Sequence, residues 1–344
     1  MTMADLPGLD LDRLGTYLDK EAPGLVAGAL TGEVIPGGRS NLTYDVTDGT
    51  THLIVRRPPL GHVLATAHDM AREHTVIEAL APTDVPVPEV FALCQDTEVI
   101  GAPFYVMGKA EGRAMRRAAE LEELGAERTA TIAGRLIDTL ADLHAVDPAS
   151  VGLSDFGRAE GYLERQVRRW TKQAEASKSR ELAGYDALHD YLAAHVPSHS
   201  DAAIVHGDFR LDNALVDTTP SGGDRITAVL DWEMATLGDP LSDIALSIVY
   251  QEMGRTPGAS AVSDATRASG YPSVDEVLER YSTRSGRDVS SMGFHLALGF
   301  YKLAIITEGI HYRYTQGQTV GEGFDRIGDV TEPLIALGLD AAHR

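Results

Sequence analysis

His206-Gly207-Asp208-Phe209-Arg210-Leu211-Asp212-Asn213, followed by Leu230-Asp231-Trp232-Glu233, is the stretch on which the reading of the fold turns. Short apolar runs flank both segments. Ile204-Val205 precedes the first, Ala214-Leu215-Val216 follows it, and Ile226 to Leu230 leads into the second. These runs predict strands, the last two joined by a turn through Pro220-Ser221-Gly222-Gly223. Asp208 then begins the loop after the first strand, Asn213 lies five residues on, and Asp231 ends the partner strand of the hairpin. Phosphoryl transfer from ATP requires a carboxylate to position the attacking hydroxyl, with hard oxygen ligands for the magnesium that bridges the nucleotide phosphates. The spacing lets Asp208 face an acceptor while Asn213 and Asp231 converge on metal from the two sides of one hairpin.

The N-terminal third reads as strand, Gly-rich turn, strand, helix, strand. Gly37 and Gly38 break between Val34-Ile35 and the alternating Leu42-Thr43-Tyr44-Asp45-Val46, which suits a hairpin. Leu53-Ile54-Val55-Arg56 is a further strand, stopped by Pro58-Pro59. Thr66 to Ala81 is predicted helical, with Met70, Glu73, Ile77 and Leu80 recurring on one face. Glu73 therefore lies on an inward stripe, where a lone carboxylate is costly and calls for a cationic partner. After the apolar strand Phe104-Tyr105-Val106-Met107, the run Gly108-Lys109-Ala110-Glu111-Gly112 has the composition of a hinge, and the chain turns mostly helical. Ile132, Leu136, Leu140 and Leu143 mark one amphipathic helix, and Phe294 to Tyr314 a buried one.

Composition sets the outer bounds. The chain has 344 residues, 43% of them hydrophobic and 24% charged, as in an ordinary soluble protein, and no apolar run suggests a membrane span. Its length suits one large domain or two lobes around a cleft. A formal net charge of -21 argues against nucleic acid as a partner, since phosphate backbones demand clustered Lys and Arg. That acidity serves solubility first. The segment Met1 to Leu14 lacks the basic and apolar regions of a secretory signal, which predicts a cytoplasmic location. Cys94 is the only cysteine, so no intrachain disulfide forms and Cys-rich zinc spacings are absent.

The motif pair resembles the protein kinase superfamily. Kinase catalytic loops carry an Asp, a basic residue two positions later and an Asn five positions later, as Asp208, Arg210 and Asn213 do here. Asp231 matches the magnesium-binding Asp of the kinase DFG triplet, here followed by Trp232-Glu233. HGDFRLDN followed by LDWEMATLGDPLSD is similar, within that superfamily, to the aminoglycoside phosphotransferase-like family of small-molecule kinases. The resemblance implies an α+β, bilobal protein-kinase-like fold. A small β-rich N-lobe, residues 1–108, would bind nucleotide, and a larger, mostly helical C-lobe, residues 109–344, would hold the catalytic loop and acceptor. It further implies ATP and Mg2+ as cofactors, Asp208 as base, Arg210 on the transferred phosphoryl group, and Asn213 and Asp231 on the metal.

In the N-lobe, the resemblance makes Gly37-Gly38-Arg39-Ser40-Asn41 the phosphate-covering loop. Arg56 falls where kinases place the lysine that holds the α and β phosphates, and Glu73 where their helix supplies its ion-pair partner. Adenine would lie against Met107, with backbone groups of Gly108 and Ala110 making its hydrogen bonds; Met107 serves equally as plain core. Only eight positions separate Asp231 from Asp239, which leaves little room for an activation loop and makes a protein substrate improbable. Gly238-Asp239-Pro240 reads as a helix start, with Asp239 capping. Asp243 resembles the family carboxylate that ties this helix to the catalytic loop, and His206 is expected to brace that loop.

The acceptor is expected to be a small-molecule hydroxyl. Arg56-Arg57-Pro58-Pro59, the Arg165 to Glu181 stretch around Trp170, and Phe300 to Gln318 with Glu308, Tyr312 and Arg313 resemble one subgroup. These are the kinase-like domains fused in animals to acyl-CoA dehydrogenase domains, which implies a hydroxyacyl-CoA or hydroxy acid. From Arg158 to Arg180 seven Arg or Lys stand against three Glu, which fits an anionic acceptor or a solvated helix face. Glu308 and Arg313 are candidates for the acceptor pocket, or else pair with other buried groups. An aminoglycoside or amino alcohol as acceptor, and a nucleotide-binding pseudokinase, are the alternatives.

Overall fold

In the computed structural model of the chain, residues 6–36, 41–61, 68–177, 179–198, 200–255, 264–318 and 325–343 are described. The chain divides into two compact units. The first is Met1–Glu111 with Thr227–Ala235, the second Gly112–Ile226 with Thr236–Arg344.

The first unit opens with α1 (Leu11–Glu21), capped by the Asp10 carboxylate, which accepts from the Arg13 N–H. There follow β1 (Thr31–Val34), β2 (Leu42–Thr47), β3 (His52–Arg57), α2 (Met70–Leu80), β4 (Val90–Cys94), the short α3 (Thr97–Ile100) and β5 (Phe104–Gly108). The strands pair antiparallel in the order β1-β2-β3-β5-β4. Successive side chains of a strand point to opposite faces, so the sequence sorts itself into two layers. Tyr44, Val46, Leu53, Val55, Phe104 and Val106 join Leu14 and Leu18 of α1 in one core. Arg56 and Tyr105, which lie opposite each other across β3 and β5, turn to the other face, toward α2. The helix expected from Thr66 starts instead at Met70. Asp69 is extended, and its carboxylate accepts from the Arg72 N–H, satisfying a donor that the first turn would leave unpaired. Thr66 itself lies outside the described residues.

The second unit contains α4 (Ala118–Glu122), α5 (Ala126–Ala145), α6 (Tyr162–Ser177), α7 (Tyr185–Ala194), β6 (Ala203–Val205), β7 (Ala214–Asp217) and the start of β8 (Arg225–Val229). After the chain's passage through the first unit it resumes with β9 (Thr236–Gly238), α8 (Pro240–Arg255), α9 (Val274–Ser285), α10 (Gly293–Thr315) and α11 (Thr331–Ala342). The four apolar positions predicted on α5, Ile132, Leu136, Leu140 and Leu143, are all buried. Most of α10 from Phe294 to Gly309 is buried too, whereas Tyr312 and Tyr314 on its last turn are exposed. Gly299 lets α10 approach α8 closely, because a Cβ there would stand 3.0 Å from a methyl of Val249. β6 pairs antiparallel with β9, Ile204 opposite Leu237, and so places the start of the HGDFRLDN loop beside the start of α8. No helix among the described residues is long and apolar enough to cross a membrane.

Candidate active site

The loop after β6 is held mainly by one face of α8. His206 is fully buried, and its N–H donates to the Asp243 carboxylate at 2.5 Å. The N–H of Gly207 donates to the other oxygen of Asp243 at 2.8 Å. Gly207 has φ +82°, a conformation that a residue with a Cβ adopts only under strain. One turn along α8, the Ser247 hydroxyl donates to the carbonyl of Phe209 at 2.8 Å, and three residues later the Tyr250 hydroxyl donates to Asp208 Oδ1 at 2.7 Å. Asp243, Ser247 and Tyr250 are spaced i, i+4, i+7, which puts them on one face of the helix. His206 does brace the loop, its Nδ1 accepting from the Asp208 N–H at 3.2 Å.

Asp208 is held from the other side by Asn213, whose amide donates to both the carbonyl and Oδ2 of Asp208 at 2.9 Å. The tight turn Leu211–Asn213 brings the amide there, closed by the Asn213 N–H on the Arg210 carbonyl. Both donor protons of the amide are thus used on Asp208, and its oxygen faces away from them. Arg210 lies 3.6 Å from Asp208 and 3.7 Å from Asp212, with its guanidinium stacked over the Tyr250 ring. Burial would raise the pKa of Asp243, but His144, His206 and the loop N–H hold it below the ordinary carboxylate range. The Tyr250 phenol is pushed well above its ordinary value by burial and by the adjoining Asp208, so it stays a hydrogen donor.

In the first unit, Arg56 joins two carboxylates. Its Nε stands 2.8 Å from Glu73, which is 1% exposed, and its Nη2 2.5 Å from Asp231. The cationic partner that the inward position of Glu73 demanded is therefore present. From the strand position opposite Arg56, Tyr105 donates at 3.0 Å to Oε2 of Glu73, the same oxygen that Arg56 meets. Burial opposes the charge of Arg56, yet Glu73, Tyr105 and Asp231 more than offset it, and its pKa is raised. Burial also raises the pKa of Glu73, with Arg56 and Tyr105 working against it. Asp231 lies two residues beyond β8, in the left-handed region at φ 66° and ψ 57°. A non-glycine residue there carries strain, which Asp tolerates better than most. Trp232 anchors the bend, fully buried with its indole N–H on the Val229 carbonyl.

The remaining predicted positions fall in varied surroundings or outside the described residues. Gly37, Gly38 and Ser40 lie outside the described residues. Asn41 is buried, and its amide donates to Glu73 at 3.0 Å while its oxygen meets His68, so its side chain belongs to the Glu73 network. Met107 is buried in the sheet. The Gly108 N–H donates to the Glu89 carbonyl, which takes that donor away from any adenine; Ala110 makes no hydrogen bond among the described residues. Glu308 and Arg313 are not brought together. Glu308 is buried and held by the Ser179 hydroxyl at 2.7 Å and by two nitrogens of Arg180 at 3.1 and 3.2 Å, while Arg313 is exposed on the last turn of α10. They are five residues apart on a helix with 3.6 residues per turn, which points them in different directions.

Three groups went unread in the sequence. Ser247 and Tyr250 could have been found from their spacing with Asp243. Lys302, whose ammonium donates to the Gly207 carbonyl at 2.9 Å, carried no local signal beyond being a cation on an apolar helix.

Residues 31–280, well over half of the chain, match the profile of the phosphotransferase enzyme family. The chain belongs to that family. It is 35% identical over 342 residues to rat acyl-CoA dehydrogenase family member 11, covering 97% of this chain and 43% of the rat protein. It is 33% identical over 334 residues to mouse acyl-CoA dehydrogenase family member 10, covering 95% of this chain and 31% of the mouse protein. The chain thus spans less than half the length of these curated relatives. Among solved structures, a Ralstonia eutropha protein provisionally named an aminoglycoside phosphotransferase superposes with a TM-score of 0.84 and 31% identity, over 97% of this chain and 98% of that one. Choline kinase from Cryptosporidium parvum shares the fold at 12% identity, with a TM-score of 0.63 over 97% and 96% of the two chains. This member of the phosphotransferase enzyme family thus has the α+β, kinase-like fold that the motif pair implied.

Proposed function

We propose that this phosphotransferase moves the γ-phosphate of ATP to a hydroxyl of a small molecule, with Asp208 as the base. The observation that carries the reading is the fixing of Asp208 by Tyr250 on one oxygen and Asn213 on the other. A carboxylate so clamped has its geometry set before a substrate arrives, which is what positioning a nucleophile requires. Arg210, stacked on Tyr250, would meet the transferred phosphoryl group. In the first unit, taken as the nucleotide-binding lobe, Arg56 backed by Glu73 would hold the α and β phosphates, and Met107 and Ala110 would face adenine. Asn213 and Asp231 would bind Mg2+. Both offer hard oxygen, and Mg2+ completes its shell with water and phosphate oxygens rather than an all-protein cage.

For the acceptor we favour a hydroxyacyl-CoA or related hydroxy acid over an aminoglycoside or amino alcohol. The pairing of Glu308 with Arg180 and Ser179 supports this choice, because it removes from consideration a carboxylate that a cationic acceptor could have used. Asp208→Asn should leave Mg-ATP binding intact while lowering phosphate transfer by about 10²–10⁴-fold. ADP release measured with a panel of hydroxyacyl-CoAs and aminoglycosides tests this, and unchanged turnover in the variant would remove Asp208 from its role.

A further inference from the structure

Lys302 is a cation set into the second unit beside the proposed base. It rises from the middle of α10, on a helix whose other residues from Phe294 to Gly309 are mostly apolar and buried. Its ammonium donates to the Gly207 carbonyl at 2.9 Å, next to Asp208, and lies 5.6 Å from the centre of the Trp170 ring. No carboxylate forms an ion pair with it among the described residues, and the side chain keeps partial access to solvent. An ammonium has three donor protons, so this one retains donor capacity beyond its single carbonyl.

Trp170 is itself nearly buried, and Arg169 of α6 also lies 5.6 Å from its ring. The charged groups that bear on Lys302 are Asp208 and Asp243, which favour its charge, and Arg169, which opposes it; burial outweighs them and weakens its hold on the proton. Both carboxylates also accept hydrogen bonds from the chain itself. Asp243 accepts from His206 and Gly207, and Asp208 from Tyr250 and Asn213. A molecule that brings its hydroxyl to Asp208 would therefore come close to a cation with spare donor protons.

We propose that Lys302, set against Trp170, forms an acceptor subsite that binds the carbonyl or carboxylate oxygen of a hydroxy acid or its thioester and disfavours an ammonium. This rests on the phosphotransferase reading above and adds to it the residue that selects the acceptor. A carbonyl oxygen accepts from one of the two remaining ammonium protons, whereas the amino groups of an amino alcohol or aminoglycoside face like charge there.

The test uses the whole chain as wild type, Lys302→Met and Lys302→Arg. Each is titrated calorimetrically, in the presence of Mg-AMP-PNP, with 3-hydroxybutyryl-CoA, 3-hydroxybutyrate, ethanolamine and kanamycin, and Mg-AMP-PNP affinity is measured separately. Wild type should bind the hydroxyacyl probes in preference to the amino probes. Loss of one hydrogen bond from a charged donor should weaken hydroxyacyl binding about tenfold or more in Lys302→Met. Lys302→Arg should restore most of that affinity, with nucleotide affinity the same in all three proteins. The subsite is overturned if the amino probes bind wild type more tightly, if neither class binds while nucleotide does, or if Lys302→Met leaves hydroxyacyl binding unchanged. It is overturned equally if that variant weakens both classes alike, which would reduce Lys302 to a brace on Gly207. Wild type that fails to bind Mg-AMP-PNP brings down the phosphotransferase reading itself.

Discussion

One hydroxyl group, that of Tyr250, connects α8 to the proposed base across 42 positions of sequence. A hydrogen bond to a charged group contributes about 1.5–3 kcal/mol, so Tyr250→Phe should lower kcat by roughly tenfold or more. The KM for nucleotide should change less than kcat, because the phenol touches the base directly and reaches the transferred phosphoryl group only through the Arg210 stack. Steady-state kinetics with saturating acceptor decide this, and a change in nucleotide KM with kcat intact would show that Tyr250 acts elsewhere. At the same scale Arg56 and Arg57 show what a strand does to adjacent identical residues. Arg56 turns to Glu73 and Asp231, while Arg57 is buried on the opposite side and spends its guanidinium on the carbonyls of Gly8, Pro58 and Ile100. Period two made the divergence readable, but only Glu73 on its inward stripe indicated which arginine had the carboxylate partner.

The N-terminus of α8 forms where its local sequence predicts. Asp239 accepts from the Leu241 N–H at 2.8 Å, and Pro240 takes the first helical position. The same carboxylate lies 3.3 Å from His295 of α10, which no local pattern revealed. Asp239→Ala should destabilise the chain by about 1 kcal/mol for the cap alone. Burial pushes the pKa of Asp239 up, but His295, Ser200 and the Leu241 N–H outweigh it and leave it below the ordinary value. A carboxyl depressed by folding contributes stability above its unfolded pKa of about 3.9 and loses it as pH falls through the lower folded value. The stability gap between wild type and Asp239→Ala, measured by urea unfolding, should therefore be full at pH 6 and shrink below about pH 4. A gap that stays constant with pH would mean that the carboxylate charge contributes nothing.

At the scale of the whole molecule the formal charge of -21 is the dominant electrostatic fact. Self-repulsion of that size opposes compaction, and salt screens it. Raising NaCl from about 10 mM to about 150 mM shortens the screening length from about 30 Å to about 8 Å, and the thermal midpoint should rise. A midpoint that falls or stays level, in KCl as well as NaCl, would show that paired charges outweigh the repulsion. What the sequence determined by itself was the family and the order of elements. HGDFRLDN and LDWE carry their residue types at fixed short spacings, the strands carry their alternation, and α8 carries its cap, all of which are local relations. Tertiary structure alone decided that residues 227–235 leave one compact unit for the other, that Tyr250 and Lys302 reach the HGDFRLDN loop, and that Glu308 is spent on Arg180. Those outcomes depend on which faces bury one another and on where each buried polar group finds its partner, and a linear pattern does not contain that information.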